Sequence, residues 1–200
     1  MEIISSSTSR DRRNQVRSRL PFAGRRQYRA VSGELPSMRK RLMSEQVSKY
    51  ADRPGEIDVA SLATFHYSSE DPDHPLEHLI DGRSGRGGTR WASARPNMTE
   101  RIELEFEPAQ QISRLVYEVE EHRVERTQEV RIEVSTDHGR TYRQVLAQDY
   151  TFSPAGATFQ HEEVHLEVSP ITHLNLTIIP NKGGSGVATL TSLRLFASPF

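Results

Sequence analysis

The chain has no cysteine among its 200 residues. Disulfides and thiolate metal sites are therefore excluded, and a reducing compartment is favoured. No stretch approaches the about 18 consecutive apolar residues of a membrane-spanning helix. The N-terminus also lacks the apolar core of a secretory signal. We therefore expect a cytoplasmic protein with no membrane span.

Catalytic signatures are missing as well. The serines include no Gly-x-Ser-x-Gly elbow, and without cysteine there is no thiol nucleophile. No set of residues suggests an acid–base pair or a nucleophile with its base. The sequence therefore predicts a protein that is not an enzyme.

Charge is unevenly distributed along the chain. Residues 1–53 hold 13 Lys/Arg and 5 Asp/Glu, whereas the remainder holds 13 Lys/Arg and 22 Asp/Glu. Such asymmetry, with Pro54-Gly55 at the change, predicts a boundary between a basic arm at 1–54 and a domain at 55–200. We expect the arm to be disordered, because it buries too little apolar surface to offset chain entropy. One short helix is expected at 37–50, where apolar residues recur at helical spacing.

The arm admits three interpretations. Its arginines suit a nucleic-acid backbone or another anionic surface; they are Arg10, Arg12, Arg13, Arg17, Arg19, Arg25 and Arg26. Its Arg- and Ser-rich composition also fits an organellar targeting segment, although Glu2 and Asp11 weigh against that. The third interpretation, a solvated tail without a specific partner, is the one we favour.

Polar and apolar residues alternate through the domain. This period of two predicts strands with one buried and one wet face, as antiparallel sheets have. The alternating runs are 101–106, 115–119, 130–134, 164–168, 174–178 and 193–195. Turn residues separate them at 137–139, 154–156 and 180–184. About eight strands over this length predict an all-β sandwich or jelly roll.

A glycine-rich loop precedes the only tryptophan. Asp81 and Thr89 place side-chain oxygens at either end of a loop with glycines at 85, 87 and 88. Such a loop suits either the wrapping of a hard cation or a brace made by the carboxylate. Trp91 is predicted to be a core residue, where full burial is worth about 3 kcal/mol.

The domain resembles the discoidin, or coagulation-factor type C, family of galactose-binding-like jelly rolls. The resemblance covers about residues 57–197 and rests on Ala63, Ser68-Ser69, 74–82, 89–93, 102–106 and 130–142. It implies an eight-stranded jelly roll and a non-catalytic module that binds glycans, phospholipid head groups or proteins. Some small intracellular relatives bind a protein partner.

The resemblance also implies a structural calcium ion with Asp81 and Thr89 among its ligands. Arg83 stands where the family has an acidic or amide residue, and one carboxylate is few for a tight site. The alternative, which we favour, is that Asp81 caps the loop by accepting backbone N–H groups. His74 and His78, with Asp81, have the spacing of a zinc site on a helical turn, but we favour surface histidines.

By position in the fold, the ligand loops are expected at residues 67–73, 120–127 and 181–187. Their chemistry suits hydroxyl groups and sugar faces. The candidates are Tyr67, His122, Arg123, Arg126, Asn181 and Lys182, with Phe152 as a second stacking residue.

Two functions remain open. The first is a discoidin-type module that recognises a carbohydrate or similar polar ligand through loops at one end of the sandwich. The second is an intracellular adaptor subunit that binds a protein through the sandwich surface or the basic arm.

Overall fold

The structure is a computed structural model that describes residues 53–167, 170–183 and 185–197. The predicted basic arm, up to residue 52, and its helix at 37–50 lie outside the described residues. No helix in the described part of the chain is long and apolar enough to cross a membrane.

The described chain is built mainly from strands. One helical turn precedes the first strand and one 3₁₀ turn follows it: α1 (Val59–Leu62) and the turn Leu76–Leu79. The strands are β1 (Ala63–Tyr67), β2 (Trp91–Ala92), β3 (Glu100–Gln110), β4 (Ile112–Glu120), β5 (Arg126–Ser135), β6 (Arg143–Phe152), β7 (Phe159–His165), β8 (Ile171–Ile179), β9 (Thr189–Leu190) and β10 (Ser192–Ala197).

Eight of these strands form the two main sheets. A five-stranded sheet has the order β1-β3-β8-β5-β6, and a three-stranded sheet has the order β10-β4-β7. The two-residue strands β2 and β9 pair separately. Every pairing is antiparallel. The predicted all-β, eight-stranded sandwich is therefore confirmed.

Alternation located most of the strands. The predicted runs at 101–106, 115–119, 130–134, 174–178 and 193–195 lie within β3, β4, β5, β8 and β10. The predicted run at 164–168 overlaps β7 only at its first two residues, because β7 ends at His165. The sequence did not indicate β6, an edge strand whose burial follows no two-residue period until Tyr150 and Phe152.

The core fills the space between the sheets. Facing apolar residues such as Ile102, Leu115, Ile132 and Leu176 are fully buried. Each aliphatic side chain of this kind contributes about 1.5–3 kcal/mol on burial. Tyr117 of β4 and Tyr150 of β6 meet edge to face with ring centroids 6.2 Å apart, and their hydroxyls hydrogen-bond to each other. The pair therefore joins the two sheets without leaving a buried hydroxyl unpaired.

Trp91 lies in this core with 0% of its surface exposed, as predicted. Its Nε1 donates to the carbonyl of Ser69 at 3.2 Å. Its strand pairs with β9, with Trp91 opposite Leu190.

Strand register places the predicted ligand loops at one end of the sandwich. Tyr67 pairs with Ile102, Arg126 with Phe152, and Glu120 with Phe159, so β1, β6 and β4 end where β3, β5 and β7 begin. We call this the loop end; it contains the segments 68–75, 93–99, 121–125, 153–158 and 180–188, with 184 undescribed.

Replacement of Trp91 by alanine should destabilise the domain by about 3–5 kcal/mol, the usual cost of truncating a buried aromatic. A denaturant melt measures this loss. Tyr67→Ala is the control, because Tyr67 is 46% exposed and should cost far less. A Trp91→Ala protein with unchanged stability would contradict the core assignment.

Candidate functional site

The loop end contains an open groove of about 590 Å³. It runs between the segment before β5 and the segment after β8, with one residue from β6. Its lining is Val124, Glu125, Arg126, Thr127, Thr151, Asn181, Lys182, Gly183 and Ser185. The structure thus brings together three of the six candidate residues predicted from sequence.

Exposed apolar side chains concentrate at this end. Among the described residues, the large exposed hydrophobics are Tyr67, Met98 and Val124, at 46%, 45% and 43% exposure. Tyr67 ends β1, and the other two lie in the segments 93–99 and 121–125. Exposed apolar surface collected in one region is typical of a binding surface.

Arg126 lies beneath the groove. Its side chain is 1% exposed, and Nε lies 3.0 Å from Glu121 Oε2. Nη1 donates to the carbonyls of Pro180, at 3.0 Å, and Val187, and Nη2 donates to Thr189 Oγ1 at 2.6 Å. Burial lowers the pKa of this guanidinium, and Glu121 opposes the change. Arg126 therefore braces the segment after β8, and its contact with a ligand stays a prediction.

Lys182 is held by two carboxylates. Its Nζ lies 2.6 Å from Glu129 Oε2 and 2.7 Å from Asp149 Oδ1. These hydrogen bonds, that of Asp149 first, raise the pKa of Lys182, and Lys182 lowers the pKa of Glu129. Glu129 is therefore negative and Lys182 positive at any pH between 4.5 and 10.5, the ordinary pKa values of the two groups. A ligand at this lysine must compete with both carboxylates.

Asn181 shapes the same loop. Its Oδ1 accepts the amide of Gly183 at 3.1 Å, and its Nδ2 donates to the carbonyl of Ser185 at 3.4 Å. Both groups are at the surface, so the side chain remains accessible from the groove.

The other three candidates, His122, Arg123 and Tyr67, do not line this groove, and Tyr67 ends β1, which β3 separates from β8 in the sheet. His122 is half exposed, with Nε2 2.8 Å from Glu120 Oε1. The exposed Arg123 guanidinium has no hydrogen bond or ion pair with the described residues; only its amide is bonded, to Glu121 Oε1 at 2.9 Å. The Tyr67 hydroxyl donates to Glu70 Oε1 at 3.1 Å. Arg123 is thus the candidate cation most available to a ligand.

One predicted contact residue is wrong, and one supporting residue was missed. Phe152 is 1% exposed and belongs to the core, so it cannot stack on a sugar. Asn97, at φ 61°, joins two loops: its amide donates to the Gly186 carbonyl at 2.8 Å and its Oδ1 accepts the Gly186 amide at 3.0 Å. The Pro96-Asn97 turn was the available sequence signal, since asparagine tolerates positive φ.

Asp81 and Thr89 do come together, across the glycine-rich loop. Thr89 Oγ1 donates to Asp81 Oδ2 at 2.6 Å, and the Arg83 amide donates to Asp81 Oδ1 at 2.9 Å. Both carboxylate oxygens therefore already accept hydrogen bonds in the manner of a loop cap.

The glycine-rich loop presents amides to the three-stranded sheet. The Gly85 amide donates to Glu118 Oε2 at 2.7 Å, and the Gly87 amide donates to Glu120 Oε2 at 2.9 Å. Positive φ angles at both glycines allow this orientation. Calcium requires six to eight oxygen ligands, whereas this loop directs N–H donors at carboxylates. The arrangement does not fit a calcium ion.

The histidines near Asp81 have separate partners. His74 Nδ1 lies 3.2 Å from Asp71 Oδ1, and His78 Nδ1 lies 2.9 Å from the Arg90 carbonyl. No group of three or more His, Asp or Glu suited to a metal is found within the described ranges.

Arg126→Ala should destabilise the domain by about 3–5 kcal/mol, because it leaves Glu121 and buried carbonyls without their partner. Arg123→Ala is the matched control and should change stability by less than about 0.5 kcal/mol, as for ordinary surface sites. Chemical denaturation of both variants measures the difference. Equal stabilities would show that Arg126 is no brace.

We propose that Asp81 holds the loop without a cation. Calcium at a hundredfold excess over its dissociation constant stabilises a folded protein by about 2.7 kcal/mol, which raises the melting temperature by several degrees. We expect millimolar calcium or EDTA to shift it by less than about 2 °C. A saturable rise with calcium that disappears in Asp81→Ala would restore the cation site.

Known proteins support the fold assignment. A solved CBM32-3 module from a family 31 glycoside hydrolase of Clostridium perfringens matches with a TM-score of 0.55 and 17% identity, covering 72% of this chain and 96% of that one. A module from the same organism in complex with GlcNAc-α-1,4-galactose matches at TM-score 0.52 and 15% identity, covering 74% and 99%. Another, in complex with GalNAc-β-1,3-galactose, matches at 0.50 and 19%, covering 71% and 99%.

The search of curated proteins gave no match. A model of the F5/8 type C domain family matches residues 64–193. This range runs from within β1 to the start of β10 and includes the loop end and the glycine-rich loop. The resemblance to the discoidin family is confirmed, and the chain belongs to the F5/8 type C domain family.

Proposed function

We propose that this chain is a non-catalytic module that binds carbohydrate at the loop end. The observation that carries the proposal is the groove there, with exposed Val124 at its wall and, next to Val124 in the chain, the Arg123 guanidinium, which no described residue pairs. Ligand sites combine apolar contact surface with a few polar groups that fix orientation.

The polar groups of the groove suit hydroxyls. Thr127 and Thr151 face each other with their Oγ1 atoms 2.9 Å apart, and Asn181 offers an amide. Each of these groups both donates and accepts hydrogen bonds, as sugar hydroxyls do. The Arg123 guanidinium adds donors that no described residue occupies.

The structural neighbours support the ligand class. Two of them were solved with galactose-containing disaccharides. Their identity to this chain is below 20%, so the sugar itself is not transferred. We therefore propose a carbohydrate and leave its identity to a glycan array.

A second candidate function is protein recognition. Met98 and Val124 are exposed at the same end, and methionine, aromatic and arginine side chains are enriched at protein interfaces. An adaptor subunit would use this surface for a partner chain.

Arg123→Ala should weaken binding of an array-positive glycan at least about tenfold, equivalent to 1.4 kcal/mol. Isothermal titration of the full chain measures the affinity. Arg140→Ala is the matched control, because Arg140 is an exposed arginine in the turn at the opposite end of the sandwich, and its affinity should stay within twofold of the parent's.

The two candidate functions separate in the same assay. An array without reproducible sugar binding would contradict the carbohydrate proposal. Binding of a partner protein that Met98→Asp or Val124→Asp abolishes would then favour the adaptor.

A further inference from the structure

A second groove lies on the outward face of the five-stranded sheet. Its volume is about 250 Å³. We call it the sheet-face groove; it is lined by His66, Tyr67, Ser68, Arg101, Glu103 and Asn175. None of these residues lines the groove at the loop end.

Strand register explains why polar residues meet there. Glu103 of β3 pairs with His66 of β1 and with Asn175 of β8, and Asn175 also pairs with Glu133 of β5. Successive residues of a strand point to opposite faces. Because Ile102 and Leu104 are fully buried in the core, Glu103 must point outward.

Asn175 is the unusual member of this row. It is 1% exposed although it belongs to the outward face. Its Nδ2 donates to Glu133 Oε2 at 2.8 Å, while its buried Oδ1 has no hydrogen-bond partner among the described residues. Buried polar atoms are nearly always paired. Asn175 Oδ1 therefore lacks a described partner beside the groove, where a donor from outside the chain, a ligand or a water, would satisfy it.

Tyr142 holds the carboxylate of one residue that lines the groove. From the turn before β6, its hydroxyl donates to Glu103 Oε2 at 2.8 Å. Because β8 and β5 separate β3 from β6, and neighbouring strands lie about 4.8 Å apart, the turn itself must fold over the sheet to bring this hydroxyl to Glu103. Burial and this hydrogen bond raise the pKa of Tyr142 to about 12. The phenol therefore stays protonated at neutral pH and holds the Glu103 carboxylate in place.

Arg101 supplies positive charge and hydrogen-bond donors on the same strand. It is exposed, and its guanidinium makes no hydrogen bond or ion pair with the described part of the chain. Residues two apart on one strand face are separated by about 7 Å. The groove therefore offers acceptors at Glu103 and Asn175 and donors at Arg101 on neighbouring positions of one sheet face.

This mixture selects the ligand chemistry. An ammonium group would meet the positive charge of Arg101, and an anion would meet Glu103. A hydroxyl both donates and accepts, so a ligand with neighbouring hydroxyls satisfies all three residues. We propose that the sheet-face groove is a second carbohydrate-binding site, in which one sugar residue donates to Asn175 Oδ1 and Glu103 and accepts from Arg101.

The site is tested by NMR titration of the full, ¹⁵N-labelled chain with galactose, N-acetylgalactosamine and N-acetylglucosamine in turn. We expect two separate groups of shifting amides for at least one sugar. One group lies at 121–127 and 180–187, and the other lies around residues 66–68, 101–103 and 175. Arg101→Ala or Glu103→Ala should weaken the second group's apparent affinity at least about tenfold and leave the first unchanged.

Matched controls lie outside the sheet-face groove. Glu107→Ala changes an exposed glutamate of β3 outside the groove, and Arg140→Ala changes an exposed arginine outside both grooves. Neither should alter the second group. Thermal melts of all four variants check that the fold is kept.

The outcomes distinguish the two sites. Shifts at the loop end alone overturn the second site, leaving an ordered water as the partner of Asn175, and support the proposed function. Shifts at the sheet face alone that Arg101→Ala abolishes support the second site and contradict the loop-end proposal. Sheet-face shifts that persist in both groove variants, or no shifts with any sugar, overturn the second site.

Discussion

The buried side chain of Trp91 holds together the segments that form the loop end. Its indole donates to the Ser69 carbonyl, and its strand pairs with β9. Next to it, the Ala92 carbonyl accepts the Asp71 amide at 2.8 Å, and the Ser93 amide donates to the Ala188 carbonyl at 2.9 Å. These bonds connect the segments after β1, before β3 and before β9. The geometry of any ligand site at this end therefore depends on an apolar residue that the ligand does not touch.

The cations of this domain divide into those that have partners within the chain and those that are available to a ligand. Arg126 is buried and Lys182 is 43% exposed, and both make ion pairs or hydrogen bonds within the chain, whereas the guanidiniums of Arg101 and Arg123 make none with the described residues. A buried charge must be paired, or its desolvation cost is not offset. An exposed one keeps its hydration and remains available to a ligand.

The carboxylates beside the glycine-rich loop are likewise buried and paired. Glu118 and Glu120 are buried on the outer side of β4, and each accepts a loop amide. Arg86 adds a cation–π contact with Phe159, its Cζ 5.2 Å from the ring centroid, and donates to Thr158 Oγ1 at 2.8 Å. These contacts attach the loop to the three-stranded sheet. The two buried carboxylates therefore already have hydrogen-bond partners within the chain.

The sequence by itself determined the fold class, most strands, the turns between them and the burial of Trp91, because alternation and turn chemistry are local properties of the chain. It also placed Asp81 beside Thr89, since a short loop joins them. Only the tertiary structure decided which arginine is buried, that Phe152 faces the core, and that Glu103, Arg101 and Asn175 share a groove. Those outcomes depend on pairing between strands far apart in sequence, and no local pattern specifies the partner of Lys182 or the missing partner of Asn175.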